Sequence, residues 1–200
     1  MPKLDLVVGT HSTWSIRAWL CLKIAKLEFN EIVINLEKDN YQSKISQFSD
    51  TLLVPVLLDN DIHIHDSLAI CEYVNDITNI YPESKKQKAL SRSLCAELHS
   101  GFMNLRANCP FSLDKVEPVK LSEALNKEII RLTHIFDNAQ GNFMFEKATP
   151  VDAFYAVLAF RLSAYGIELE GKAGEYQTKL QQWPLFIQAI STAKHWNSLE

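Results

Sequence analysis

The spacing of apolar residues changes near residue 82, and this change limits the folds that the chain can adopt. Before that point, short apolar runs typical of β-strands alternate with helical spacing, and after it the spacing is helical throughout. Six glycines and seven prolines among 200 residues are too few turn-forming residues for an all-β sandwich or barrel. The sequence therefore predicts an α/β region followed by an all-α region.

The α/β region has the predicted element order β-α-β-α-β-β-α. Its strand patterns are four short runs, at residues 4–8, 29–36, 52–58 and 62–65. Helical spacing from Ser15 to Leu27 joins the first two strands, which predicts parallel pairing through a right-handed crossover. A short helix is expected within residues 38–51, and Asp66 and Ser67 begin the last helix. This order is that of a thioredoxin-like domain with a mixed four-stranded sheet.

The remaining sequence predicts an all-helical domain. Helical spacing covers residues 86–108, 121–139, 151–165 and 183–196. The segment Tyr81-Pro82-Glu83-Ser84 separates these helices from the strand-containing part. We therefore expect a thioredoxin-like domain at residues 1–78, a linker at 79–86 and a helical domain at 87–200.

Charge and cysteine usage exclude several classes of protein. Twenty Lys and Arg against 24 Asp and Glu give a formal net charge of −4, without a basic surface for nucleic acid or an anionic membrane. Charges at Lys3 and Asp5 replace the apolar run of a signal peptide, and no segment approaches the roughly 18 apolar residues of a membrane span. Four dispersed cysteines without a C-x-x-C pair favour reduced thiols. We expect a cytoplasmic protein.

The residues around Ser12 lie where the first strand gives way to the first helix. The amides at a helix start favour a bound anion, and the hydroxyl of Ser12 or Ser15 is placed to donate a hydrogen bond to a ligand thiolate. Serine and threonine are also the usual N-cap residues. From the spacing alone, capping is the favoured interpretation.

Two further signals lie near other strand ends. Val54-Pro55 lies at the entry to the predicted strand at residues 52–58. A cis bond there would leave the Val54 backbone open to an extended peptide, but the residues alone favour the far commoner trans bond. Asp66 and Ser67 begin a helix, where they can bind an ammonium and a carboxylate or simply act as a cap.

Taken together, these segments resemble the glutathione S-transferase superfamily over nearly the whole chain. The resemblance is carried by residues 12–20, 54–57 and 66–70 in the first half. In the helical half, residues 96–102 with Leu105-Arg106, and the capping box Thr149-Pro150-Val151-Asp152, are similar to a bacterial branch of the family. The box is expected to serve folding, not catalysis.

The resemblance implies a role for each matching residue. Ser12 would hydrogen-bond the sulfur of glutathione, and Val54, next to a cis Pro55, would pair with its cysteinyl part. Asp66 and Ser67 would bind the γ-glutamyl ammonium and carboxylate. The side chains expected near the second substrate are Trp14, Phe102, Met103 and Arg106. For the three apolar ones, packing in the core is an equally good interpretation.

The chain also departs from the family pattern. Leu53 stands where Lys, Arg or Gln often contacts the glycyl carboxylate, Asp66 replaces a glutamate, and His65 replaces an apolar or aromatic residue. His63 and His65 share one strand face, but no third ligand at metal spacing accompanies them, so no metal is expected.

The resulting hypothesis is a cytoplasmic, homodimeric glutathione transferase of the Ser-type branch. It would add the glutathione thiolate to a small electrophile or reduce a peroxide. A glutathione-dependent isomerase and a non-catalytic binding protein of the same fold are the alternatives.

Overall fold

The computed structural model describes residues 4–199, so Met1–Lys3 and Glu200 lie outside it, including Lys3 of the charged start. The chain forms two compact units. Unit 1 contains the residues up to Ile80 together with those from Gln188 onward, and unit 2 runs from Tyr81 to Ile187. The first division falls within the predicted linker, whereas the predicted helical domain extends further along the chain than unit 2 does.

Unit 1 contains a four-stranded mixed sheet with helices. Its elements up to residue 80 are β1 (Leu4–Gly9), α1 (Thr13–Ile24), β2 (Phe29–Ile34), α2 (Tyr41–Ile45), β3 (Val56–Asp59), β4 (Ile62–His65) and α3 (Ser67–Ile77). The strand order is β2-β1-β3-β4, with β1 parallel to β2 and the other two pairs antiparallel. The predicted element order and mixed sheet are confirmed.

The core of unit 1 follows from its central strands and first helix. Leu6, Val7 and Val8 of β1 are fully buried, as expected for a strand covered on both faces. Helix α1 buries nearly its whole surface, and α3 packs against it. Cys21 on α1 is fully buried and unbonded to another cysteine, in agreement with its interpretation as a small apolar residue.

Unit 2 is helical, and α9 continues from it into the last segment of unit 1. The helices are α4 (Lys85–Ser100), α5 (Met103–Asn108), α6 (Glu123–Phe136), α7 (Pro150–Ala164), α8 (Gly171–Gln182) and α9 (Pro184–Ser198). Helix α7 is buried along almost its full length and packs against α4 and α8. None of the helices among residues 4–199 combines the length and apolar character required to cross a bilayer.

The helices of unit 2 differ from the prediction in two respects. The single helix predicted at 86–108 is interrupted, because Gly101 is extended and Phe102 takes a left-handed φ of 57°. Helix α8 was not predicted, because its sequence is mostly polar and only Ala173, Tyr176, Gln177 and Leu180 are buried.

Candidate functional site

Three strand ends meet at one edge of the sheet in unit 1. Val7 of β1 pairs with Val56 of β3, and Val56 in turn pairs with His65 of β4. The turn after β1 therefore lies at the same edge as the start of β3 and the end of β4. The predicted site residues next to these ends are Ser12, Val54, Pro55, Asp66 and Ser67.

Ser12 is the N-cap of α1 in the turn after β1. Its Oγ accepts a hydrogen bond from the Ser15 amide at 3.2 Å, and its own amide donates to the Gly9 carbonyl at 3.3 Å. The capping interpretation is therefore correct for the fold. A hydroxyl also has one proton to donate, and no hydrogen bond among residues 4–199 uses that of Ser12. Capping and donation to a ligand are compatible.

The neighbouring hydroxyls are less accessible than that of Ser12. Ser15 is fully buried, and its Oγ accepts from the Gly9 amide at 3.1 Å. Thr13 is 6% exposed and Ser12 9% exposed. The geometry therefore assigns Ser15 to holding the end of β1 and favours Ser12 for contact with a ligand.

Val54 presents unpaired backbone groups beside this turn. The Val54–Pro55 peptide bond is cis, as the resemblance implies. No hydrogen bond among residues 4–199 engages the amide or carbonyl of Val54. A Cβ placed on Gly9 would lie 2.8 Å from Val54 Cγ2, so glycine is required for this close approach. An extended peptide can use the free Val54 groups as a strand edge.

The start of α3 combines a satisfied cap with an unsatisfied hydroxyl. Asp66, at a φ of 75°, is the N-cap, and its Oδ1 accepts from the Leu68 amide at 2.8 Å and from the Ala69 amide at 3.2 Å. Ser67 is 1% exposed, and its Oγ has no hydrogen-bond partner among residues 4–199. Buried hydroxyls without a partner are uncommon and costly, which makes Ser67 the unexplained polar group of this edge.

Beyond these residues, the edge carries an exposed apolar side chain and two histidines. Leu53 is 68% exposed. His63 Nδ1 lies 2.9 Å from the Phe48 carbonyl oxygen, and both histidines line a cavity of about 330 Å³. In the part of the chain that the structure describes, no group of three or more potential ligands is placed to hold a metal.

Trp14 and Met103 retain exposed surface within their own units. Trp14 is partly buried, and the Arg17 guanidinium carbon lies 4.5 Å from the centre of one of its rings, in a cation–π contact. Met103, the first residue of α5, is 63% exposed.

Phe102 and Arg106 are used by the packing of unit 2. Phe102 is 6% exposed and makes an edge contact with Tyr155, with ring centres 6.4 Å apart. Arg106 donates from Nε to the Gly101 carbonyl at 3.0 Å and from Nη2 to the Leu98 carbonyl, so it caps the end of α4. Burial lowers the pKa of Arg106, and the nearby Glu128 carboxylate opposes that change.

Two residues near the Ser12 turn make contacts that the sequence does not predict. Asn197 hydrogen-bonds His11, which directly precedes Ser12, across 186 positions of the chain. Glu31 accepts hydrogen bonds from the indoles of Trp19 and Trp196. Neither contact follows from local periodicity or capping chemistry, because the partners are far apart in sequence.

Comparison with known proteins identifies the family. Residues 11–77 match the family model described as "Glutathione S-transferase, N-terminal domain". These residues include the predicted site residues Ser12, Val54, Pro55, Asp66 and Ser67. The N-terminal region, residues 11–77, belongs to the glutathione S-transferase superfamily.

Solved structures of the superfamily share this fold over the whole chain. A glutathione transferase homolog from Burkholderia gl BGR1, solved with bound glutathione, has a TM-score of 0.75 at 21% identity and covers 98% of this chain and 99% of its own. Glutathione S-transferase unclassified 2 from Bombyx mori has a TM-score of 0.78 at 18% identity, covering 98% of this chain and 95% of its own. These structures confirm the predicted fold class.

A curated relative carries a different name. The stringent starvation protein A homolog of Haemophilus ducreyi is 25% identical over 154 residues, which cover 71% of this chain and 70% of that protein.

Proposed function

We propose that this protein is a glutathione transferase that holds the glutathione sulfur as a thiolate beside the Ser12 hydroxyl. The observation that carries the proposal is the buried, unpartnered hydroxyl of Ser67, at the same sheet edge as Ser12. Membership of the superfamily and the solved relative with bound glutathione support the choice of ligand.

The donor set at this edge fits the chemistry of the tripeptide. Ser67, at the start of α3, offers a hydroxyl and the positive end of the helix to the γ-glutamyl carboxylate, and Asp66 offers a carboxylate to the ammonium. The free backbone groups of Val54 suit the cysteinyl peptide. Two strand spacings, about 10 Å, separate β1 from β4, and a three-residue extended peptide spans about 10 Å.

The chemistry follows from the position of Ser12. Its free hydroxyl proton and the first amides of α1 stabilise a negative charge on sulfur, which raises the fraction of thiolate at neutral pH. The sulfur then forms a bond to an electrophilic carbon, whose electron pair moves to the leaving group or to a conjugated oxygen. The thiol proton leaves to solvent. The rate enhancement comes from the larger fraction of thiolate and from its alignment with the electrophile.

The second substrate and the assembly are proposed from the resemblance to the family. Of the four predicted residues, Trp14 in unit 1 keeps part of its surface exposed and is the proposed contact for an apolar electrophile, and Met103 is exposed in unit 2. Phe102 and Arg106 support the local backbone of unit 2. The same resemblance suggests a homodimer in the cytoplasm.

The ligand-binding part is tested by calorimetric titration with glutathione. The wild type should bind in the sub-millimolar range, and Ser67→Ala should weaken binding about tenfold, as expected for losing a hydrogen bond to a charged group. Ser91→Ala is the matched control, because Ser91 also has a buried hydroxyl without a partner among residues 4–199, but lies on α4 of unit 2. Absence of binding to the wild type contradicts the proposal, as does equal weakening by both variants.

A non-catalytic glutathione-binding protein is the second candidate. Leu53 exposes an apolar side chain where the family often has a cation or an amide, and the curated relative is not named as a transferase. Turnover of a model electrophile separates the two candidates. Binding without turnover across several electrophiles would favour the non-catalytic function.

A further inference from the structure

We infer that Asn197, close to the C-terminus, is a positioning residue that holds the turn carrying Ser12. The inference rests on the proposed function, since it concerns the alignment of the Ser12 hydroxyl. Residues from Gln188 onward belong to unit 1, so the C-terminal segment and the Ser12 turn are parts of one compact body.

Asn197 contacts His11 at two points. The His11 amide donates to Asn197 Oδ1 at 3.0 Å, and Asn197 Nδ2 lies 3.1 Å from His11 Nδ1. An amide N–H can only donate, so the oxygen of Asn197 must face it and the NH₂ group must face the imidazole. His11 Nδ1 is therefore the acceptor, and its proton lies on Nε2, which is 3.6 Å from the Glu37 carboxylate.

The C-terminal segment is itself anchored beside the turn. Trp196, next to Asn197, donates its indole N–H to Glu31 Oε2 at 2.6 Å and is 1% exposed. Trp19 of α1 donates to the other oxygen of the same carboxylate at 2.7 Å. One carboxylate on β2 thus fixes both α1 and the C-terminal segment, which places Asn197 firmly enough to restrain its neighbour.

His11 requires such restraint because of its backbone. Its φ is 57°, a left-handed conformation that side-chain-bearing residues seldom adopt, and the next residue is the N-cap Ser12. On the other side of the turn, the Thr10 amide donates to the Ile34 carbonyl and Thr10 Oγ1 accepts from the Leu36 amide. Among residues 4–199, Asn197 supplies the hydrogen bond to the His11 amide, so its loss removes a restraint from the residue that directly precedes Ser12, while the bonds of Ser12 to Gly9 and Ser15 remain.

The proposal is tested with Asn197→Ala, Asn197→Asp and the control Lys194→Ala, which changes an exposed residue of the same helix. The measurements are kcat for a model electrophile against pH, the thiolate absorbance of bound glutathione, and glutathione affinity. We expect Asn197→Ala to lower kcat about fivefold, the effect of one ordinary hydrogen bond, and to move the kcat profile about half a pH unit alkaline. Glutathione affinity should change less than about twofold, because the Val54 and Ser67 contacts are untouched.

Asn197→Asp retains the acceptor for the His11 amide and loses the donor to the imidazole. It should therefore lower kcat about twofold, between the wild type and Asn197→Ala. Should Asn197→Ala prove unfolded in a thermal melt, the comparison of Asn197→Asp with Lys194→Ala decides the question.

The outcomes distinguish a failure of the proposed function from a failure of the positioning role of Asn197. Failure of the wild type to bind glutathione overturns the proposed function and this inference with it. A wild type that binds and turns over, with Asn197 variants matching Lys194→Ala in kcat and in pH profile, overturns the positioning role alone. A fall in affinity at unchanged kcat also overturns it.

Discussion

The starts of α7 and α3 each hold an aspartate that accepts backbone hydrogen bonds, but the two starts differ in whether their buried polar groups all have partners. At α7, the Asp152 carboxylate accepts hydrogen bonds from the Thr149 amide and hydroxyl, the Met144 amide and the Tyr176 hydroxyl, all within 2.9 Å. Burial raises the pKa of Asp152, and these hydrogen bonds oppose the rise. At α3, Asp66 is itself the N-cap and accepts from the Leu68 and Ala69 amides, but the buried Ser67 hydroxyl has no partner among residues 4–199.

The comparison indicates that a folding site and a candidate ligand site differ in whether every buried polar group has a hydrogen-bond partner. A closed set of donors and acceptors leaves nothing for a ligand to supply. An unpartnered hydroxyl at a helix start offers a hydrogen bond that a ligand carboxylate can complete. Both starts carry a polar cap residue in the sequence, so this difference becomes visible only in three dimensions.

The largest effect is expected for Asp152→Ala. The change leaves buried donors of Thr149, Met144 and Tyr176 without an acceptor, so the free energy of unfolding should fall by about 3–5 kcal/mol. Urea denaturation measures the loss, with the exposed Asp137→Ala as control. A loss below about 1 kcal/mol would show that the hydrogen bonds of Asp152 at the start of α7 contribute little to folding.

Ser67→Ala, unlike Asp152→Ala, should not destabilise the unliganded protein. Because its buried hydroxyl has no hydrogen-bond partner among residues 4–199, removing it should not lower the free energy of unfolding and should raise it by about 1 kcal/mol. Saturating glutathione should then stabilise the wild type more than the variant, by about 1 kcal/mol, since a ligand that binds only the folded state stabilises it in proportion to its affinity. Equal stabilisation of the two proteins would show that Ser67 does not contact the ligand.

The smallest effect is expected at Leu53. Leu53→Gln supplies an amide donor where the family often contacts the glycyl carboxylate, so glutathione affinity should rise about threefold. Leu90→Gln replaces another exposed leucine, in unit 2, and should leave affinity unchanged. A rise in glutathione affinity in both variants, or in neither, would mean that residue 53 does not lie beside the glycyl end of glutathione.

Local patterns predicted most of the fold. The first, second and fourth strands and the cap at Ser12 were found close to the predicted positions, because each depends on neighbours in sequence. The strand predicted at residues 52–58 instead begins at Val56, after Pro55, which has no amide to donate to a ladder. The cis Val54–Pro55 bond agrees with the family resemblance, whereas the local sequence alone favoured trans. The sequence could not indicate that Ser15 is withdrawn to hold Gly9, because N-cap chemistry allows either serine.

What was missed depends on long-range contacts. The hydrogen bonds of Asn197 to His11 and of Trp196 to Glu31 join distant parts of the chain, and no periodicity reports them. Helix α8 was missed because its burial comes from contacts with α6 and α7 rather than from an apolar stripe in its own sequence.

The most direct test of the account is the titration of the thiol of bound glutathione, followed by thiolate absorbance in the wild type and in Ser12→Ala. The account predicts that the thiol bound to the wild type ionises well below the value of about 8.5 for a free cysteine thiol, and that Ser12→Ala returns it toward that value while glutathione remains bound. Identical titration in both proteins, or no thiolate at neutral pH in the wild type, would contradict the central claim.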